Sequence, residues 1–573
     1  MRRRTSRLAT VVASGLLSGL IYIGCGSSSS KLAPAARLTT RQSTVRPAAM
    51  AASEVAPSDV AAYATSGYSA WVAGPGEDSG RRYDLMPAGY SGSPNAGQLA
   101  SFFTFSDIHI TDKESPAQVP YFGWSSPAGS AGLSASAWSP VVLSTTQVLD
   151  AAVRTVNALH EQSPLDFGVV LGDMANSGQY NELRWFIDVM DGKPITPSSG
   201  AHAGAETIDY QKPFQAAGLN PAIPWYATVG NHDHFWMGVE YPTAKLQAGV
   251  VSDTVLNIGA HLLAADNSSQ TGVYCGVIDG TTPLGDVVKG GPEANFTTPP
   301  MVVPDADRRL VSTTGASVAN LLAEFDASTS LPAGHGLGSS SPEGCYVFRP
   351  VSSVPLKVIV LNDTCLTTEV GRGPLFYGSG WIDQARYEWL TRELGAGQDM
   401  GELMVLATHI PINPQADLTN TAPRPQFYPS SYKSDDELIA TLHNYPNLVL
   451  LMAGHRHLNT VTPQPSPDAE HPERGFWEVE APSLRDFPQQ FRTFQIHRNA
   501  DNSISIVTTD VDLIVEPGSP AAKSRGYAVG TSRVFGYRST SDTTSGCYNA
   551  ELVKQLSPTM QAKIAALAEP RRR

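Results

Sequence analysis

Five short apolar runs punctuate this chain, and each stops at a polar turn. Phe102-Phe103-Thr104-Phe105 leads into Asp107-Ile108-His109, and Val169-Val170-Leu171 into Gly172-Asp173. Trp225 to Val229 leads into Gly230-Asn231-His232-Asp233, Met404 to Ala407 into His409, and Leu448 to Met452 into Gly454-His455-Arg456-His457. Apolar runs of this length between turn residues predict buried strands. Elsewhere the spacing turns helical. Leu149, Ala152, Val153, Val156 and Leu159 recur on one face, and a second helix is predicted around Tyr180–Met190. A third covers 381–394, with Trp381, Ile382, Ala385, Trp389 and Leu390 as its stripe. Ser434 with Glu437 reads as a capping box opening another. Strands follow at Phe476–Glu480, Phe491–Ile496 and Ile504–Val507, and a closing helix is expected over Leu552–Leu567. This rhythm predicts a parallel or mixed sheet covered by helices.

The polar residues that end the runs are of one kind. Asp, Asn and His collect at strand ends, where open α/β sheets place their sites. Asp107 and His109 are two apart, as are His455 and His457, so each pair faces one side if the strand continues through it. Gly172 lets the chain turn sharply into Asp173. Carboxylate, amide oxygen and imidazole suit divalent metals. Two metals sharing one carboxylate can clamp a phosphoryl group and make a hydroxide at neutral pH. Asp107, His109, Asp173, Asn231, His409, His455 and His457 supply such a set, with His232 left over as a proton donor.

In order and spacing, D-x-H, G-D, G-N-H-D, a lone H and G-H-x-H resemble the calcineurin-like metallophosphoesterases, over roughly Leu99 to Asn499. The resemblance implies an α/β fold: a four-layer α/β-β/α sandwich of two facing mixed sheets flanked by helices. It implies two metal ions (Mn, Fe or Zn). One is held by Asp107, His109, Asp173 and His457, the other by Asp173, Asn231, His409 and His455. On that resemblance, a hydroxide bridging them would attack phosphorus, His232 would protonate the departing oxygen as general acid, and Asp233 would orient the His232 imidazole. The reaction the resemblance implies is hydrolysis of a small phosphorylated substrate, by a phosphodiesterase or phosphatase. The alternatives are a phosphomonoesterase of nucleotidase type, or a surface lipoprotein that uses the fold only for binding. Asn176 stands where the purple acid phosphatase branch has a tyrosine ligand, which argues against that branch.

Charge and composition narrow the partners. The chain has 573 residues, 41% hydrophobic and 16% charged, with net charge −13. An acidic body lacks the basic footprint of a nucleic-acid binder, whereas metal ions supply local positive charge for an anionic substrate. Residues 1–25 read as an export signal. Arg2, Arg3, Arg4 and Arg7 precede an apolar stretch from Leu8 to Ile23, which is short for a membrane span. Gly24-Cys25 and the serines after it resemble a bacterial lipoprotein processing site, so a lipid on Cys25 is expected to anchor the chain at the cell envelope.

Residues 26–98 read as a low-complexity tether whose later part packs on the body, and residues 99–573 as the catalytic domain. Within that domain, 112–145 is expected to be a long loop, 235–350 a cap-like insertion, and the stretch from about 500 a strand and helix extension. In an exported chain Cys275, Cys345, Cys365 and Cys547 allow two disulfides, with Cys275–Cys345 the preferred pair. Arg485 is expected to pair with Asp486, Asp363 to serve as a turn residue, and His234 to sit on the rim.

Overall fold

The computed structural model describes residues 39–567 apart from 51–53, 130–132, 259–271, 313–317, 340–341, 343, 367–375, 413–430 and 537–548. The export segment, Cys25, Cys547 and the terminal arginines lie outside the described residues. Among the described residues no helix is long and apolar enough to cross a membrane.

Two mixed sheets face each other. The first has seven strands, ordered Gly80–Leu85, Ala550–Lys554, Ile504–Asp512, Gln490–Asn499, Asn95–Phe105, Phe167–Val170 and Trp225–Ala227. Its last three strands are parallel, and Gln490–Asn499 runs antiparallel to Asn95–Phe105. The second has six, ordered Tyr346–Phe348, Leu356–Val360, Leu403–Ala407, Leu448–Ala453, Phe476–Glu480 and Thr460–Gln464. Its four middle strands are parallel.

The continuous apolar runs have a simple cause: these strands are covered on both faces. Val358, Val405 and Val479 face the layer shared with the first sheet, while Ile359, Leu406 and Leu451 face a second layer with Leu390 and Leu438 of the helices Gln384–Met400 and Asp435–Leu442. Phe102, at the centre of the first sheet, stacks on Phe167 and Phe494, and Phe167 meets Phe348 of the second sheet edge-on. Successive strand residues alternate sides, so Phe103 lies on the opposite face, against Phe105 and Phe491. On that flank the helices Thr145–Gln162 and Tyr180–Asp191 add Leu149, Val153 and Ile187, and Phe186 packs on Trp225. Ser434 and Glu437 form the expected capping box.

Several expectations are corrected. The stretch read as a tether is folded from Thr39 onward outside 51–53. Ser43–Pro47 pairs with Trp71–Pro75, and Gly80–Leu85 forms the edge of the first sheet beside Ala550–Lys554. That partner strand occupies the start of the segment expected to be helical, and a helix begins only at Pro558. The 112–145 loop contains short helices at Pro120–Trp124, Leu133–Ala137 and Pro140–Ser144. In the insertion, Trp236, Leu246, Val250, Tyr274 and Val277 make an apolar cluster of their own. Leu321 and Phe325, from the helix Ala319–Asp326, belong instead to the main core. Cys275 and Cys345 are free thiols in different clusters, so the preferred disulfide is not formed. Burial pushes the Cys345 thiol up to about 12.

Candidate metal centre

Every motif residue sits just beyond the C-terminal end of a parallel strand, and the two sheets bring those ends together. Asp107 and His109 follow Asn95–Phe105, Asp173 follows Phe167–Val170, and Asn231 to Asp233 follow Trp225–Ala227. His409 follows Leu403–Ala407, and His455 and His457 follow Leu448–Ala453. The pairs do not share a face by strand alternation, as the sequence suggested. The strands have already ended, and Asp107, His109, Asp173, His455 and His457 take left-handed backbone conformations, with φ of 51°, 51°, 53°, 73° and 56°. Non-glycine residues adopt that region at a cost of order 1–3 kcal/mol each, and such residues concentrate at functional sites. A Cβ on Gly230 would overlap the amide nitrogen and Oδ1 of Asp173, so only glycine permits that approach.

The donor atoms form two adjoining groups. In the first, His457 Nε2 lies 3.3 Å from Asp107 Oδ1 and 3.0 Å from His109 Nε2, and His109 Nε2 lies 3.7 Å from Asp173 Oδ2. In the second, His409 Nε2 lies 3.3 Å from Asp173 Oδ2 and 2.9 Å from Asn231 Oδ1, and His455 Nδ1 lies 3.1 Å from that same oxygen. Metal–ligand bonds of about 2.0–2.2 Å place neighbouring ligands about 3–3.5 Å apart. The observed separations, 2.9–3.7 Å, lie close to that spacing. Asp173 belongs to both groups. His232 and His455 are half-buried and the other motif side chains buried, so the site opens beside those two.

Hydrogen bonds outside the cluster determine which atoms face inward. His409 Nδ1 donates to the Leu171 carbonyl at 2.7 Å, leaving its Nε2 lone pair inward. Asn231 Nδ2 donates to the Gly238 carbonyl at 2.9 Å, turning its Oδ1 inward. His457 Nδ1 donates to Asp486 at 2.7 Å. Acceptor atoms therefore confront one another inside a buried, carboxylate-rich space, which a cation satisfies. The protein alone answers the same demand with protons. Burial opposes charge on His409, but Asp173 and Asp107 push it up to about 10. His457 likewise rises to about 10 against burial, because of Asp107 and Asp486. Burial raises Asp107, yet the charged His457 and His409 hold it down to about 2.

Four readings of single residues change. Asp233 does not orient His232. Its carboxylate accepts the backbone amides of Asp173, Met174, Ala175 and Gly230 at 2.7–3.0 Å, tying two motif loops together. His232 Nδ1 instead donates to the Asn176 carbonyl at 2.6 Å. Asp363 is more than a turn residue, because it accepts the amides of His409 and Ile410 at 3.1 and 3.0 Å and so places the His409 loop. Arg485 donates to the Ser136 carbonyl at 3.0 Å rather than to Asp486. His234 is buried, not on the rim, and its Nε2 meets Thr364 Oγ1 at 2.9 Å. Arg456, given no role from sequence, pairs with Glu480. Asp363 follows an apolar run, Val358 to Leu361, and Asp486 follows a mixed turn segment, Pro482 to Arg485; loop acids are too common for either setting to single them out.

No protein-family model and no curated protein matches the chain. Among solved structures, a dimetal phosphatase from Danio rerio is similar, with 11% sequence identity, 72% of this chain and 96% of that one covered, and a TM-score of 0.33.

Proposed function

We propose that this chain hydrolyses phosphoric esters with two metal ions held at the strand-end cluster, acting on a small phosphorylated substrate as a phosphodiesterase or phosphatase. The observation that carries the reading is the position of Asp173 between two donor groups: its Oδ2 lies 3.7 Å from His109 Nε2, beside Asp107 and His457, and 3.3 Å from His409 Nε2, beside Asn231 and His455. Asp107, His109, Asp173 and His457 would hold one ion; Asp173, Asn231, His409 and His455 the other. All the donors are nitrogen or oxygen, which suits Mn, Fe or Zn. When bound, such a pair supplies Lewis-acid charge at a phosphoryl group and a nucleophile at neutral pH.

The chain's own residues do the remaining work. Asp233 and Asp363 clamp the loops that carry Asp173, Asn231 and His409, so the donors are positioned before substrate arrives. His232 keeps its Nδ1 proton on the Asn176 carbonyl, so exchange with a leaving oxygen takes place at Nε2. Burial holds that imidazole below its ordinary value, and the charge of Asp173 works in the other direction. A positioned acid of this kind contributes about 10²–10⁴ in rate.

The test is metal analysis paired with assays on p-nitrophenyl phosphate and bis-p-nitrophenyl phosphate. Wild type is expected to hold about two metals per chain. Asp173→Ala is expected to lose both ions in part, and turnover by on the order of 10²-fold or more, the scale of removing one electrostatic stabiliser from an active site. Wild type that is inert on both esters with Mn, Fe and Zn refutes the proposal.

A further inference from the structure

Beneath the cluster lies a buried carboxylate that the proposed chemistry does not use. Glu182 is in the first turn of the helix Tyr180–Asp191 and has no solvent exposure. Its Oε2 accepts the Ser177 amide at 2.8 Å and Ser177 Oγ at 3.0 Å. Its Oε1 accepts the Asp112 amide at 3.0 Å and Gln118 Nε2 at 2.8 Å. Burial pushes this carboxyl up to about 7, while the amides of Asp112 and Ser177 pull it down. Four donors converge on two oxygens, an arrangement that a carboxylate satisfies and a neutral amide does not.

The Ser177 amide and the Asn176 carbonyl are the two ends of one peptide bond. That unit is planar and rigid. Glu182 holds its N–H end, and its oxygen receives His232 Nδ1–H at 2.6 Å. The side chains repeat the connection. Gln118 points its amide nitrogen at Glu182, which leaves its oxygen to accept Asn176 Nδ2 at 2.9 Å. Hydrogen bonds in series also polarise one another, so a carboxylate on the N–H end strengthens the carbonyl as an acceptor. The loop at 112 is braced in turn by Arg308 of the insertion, whose Nε is 3.3 Å from Asp112 Oδ2.

We propose that Glu182 is a positioning residue for His232, acting through the Asn176–Ser177 peptide to fix the ring's orientation and its Nδ1–H tautomer. The inference rests on the reading of His232 given above only for its effect on turnover; the tautomer itself is independent of it. Glu182→Gln is the main variant, because its shape is retained while a donor must face a donor. Glu182→Asp, whose shorter arm cannot span the Asp112 and Ser177 amides, is the second, for the case that the first fails to fold.

The experiment compares wild type, both Glu182 variants and His232→Ala. Long-range ¹⁵N–¹H spectra of metal-free protein, with His232 assigned by its absence in His232→Ala, read the tautomer. Turnover of the metal-loaded proteins is measured on aryl phosphates with good and poor leaving groups. Wild type is expected to show Nδ1–H at His232 and the Glu182 variants a mixture of tautomers. The variants are expected to keep their metals and lose about 10-fold or more on the poor leaving group, and little on p-nitrophenyl. A wild-type tautomer in every folded Glu182 variant overturns the inference, whatever the rates. Equal losses of His232→Ala on both leaving groups overturn the acid role of His232 instead, and the spectra still decide the role of Glu182.

Discussion

Asp486 is the residue on which the metal reading can be tested without touching a donor. Its Oδ2 accepts the Nδ1 proton of His457 at 2.7 Å, and its side chain is nearly buried, with 10% exposed. A hydrogen bond to a charged group contributes about 1.5–3 kcal/mol. Carboxylates behind a metal-binding imidazole typically account for about 10–100-fold in metal affinity, or about 1.4–2.7 kcal/mol at roughly 1.36 kcal/mol per tenfold. The two estimates agree, so Asp486→Ala is expected to weaken one of two metal sites by about 10–100-fold. Asp486→Asn keeps an acceptor but loses the charge. Charge-assisted bonds are about twice as strong as neutral ones, so its loss should be about half as large in free energy, roughly 3–10-fold in affinity. The Asp486 backbone amide donates to Ser483 Oγ at 3.2 Å, a contact within the loop that does not depend on the Asp486 side chain. Stripped protein would be refilled against a graded chelator and metal counted per chain, with circular dichroism to confirm folding. The expected pattern is selective loss of one ion near the wild-type midpoint, in the order Ala beyond Asn. A folded Asp486→Ala protein that retains both ions with wild-type affinity refutes the assignment of His457 as a ligand oriented by this carboxylate.

Two further perturbations address the site's surroundings. A Cβ on Gly238 would overlap the His232 ring and crowd Asn231 Nδ2, and its φ is 71°; Gly238→Ala should therefore fold with a penalty of roughly 1–2 kcal/mol and lose about 10²-fold in kcat, the scale of an ångström of misplacement. An unchanged kcat would show that this turn does not set the His232 position. Glu478 is buried, and desolvation outweighs its bonds from Gln464 and Ile412 and lifts it to about 8. The folded chain then binds more protons than the unfolded chain between about 4.3 and 8, so this group's stabilising contribution is full below that window and is lost as pH rises through it. Glu478→Gln, with the Gln464 amide free to turn, should match wild type in Tm at about pH 4 and exceed it at about pH 9, and a constant difference across that range would refute the shift.

Much of this site is legible locally. An apolar run followed by a polar turn records burial and chain reversal over a few residues, so the strand ends and the residues on them follow from the sequence alone. The sequence places a helix around Tyr180–Met190, where the structure has Tyr180–Asp191, and the Ser434–Glu437 cap follows from residues three apart. The acids that hold the site are a different matter. Adjacency in sequence suggests that Asp233 serves His232, but its partners are mainly amides of the Asp173 loop, some 58–60 positions away. Glu182, Asp363 and Asp486 look like ordinary helix or loop acids until their partners are known.

The sequence by itself determined which side chains end the strands and that their chemistry suits metal ions, because both are properties of short windows and of residue type. Only the tertiary structure decided which atoms of those side chains face one another. Gly80–Leu85 pairs with a strand from the other end of the chain, Cys275 and Cys345 settle in separate clusters, and five candidate ligands adopt left-handed backbones held by neighbouring loops. Each depends on hydrogen bonds or packing between segments far apart in the chain. Those partners are brought together by strand pairing, sheet packing and loop-to-loop hydrogen bonds across the fold, and not by any local pattern of polar and apolar residues.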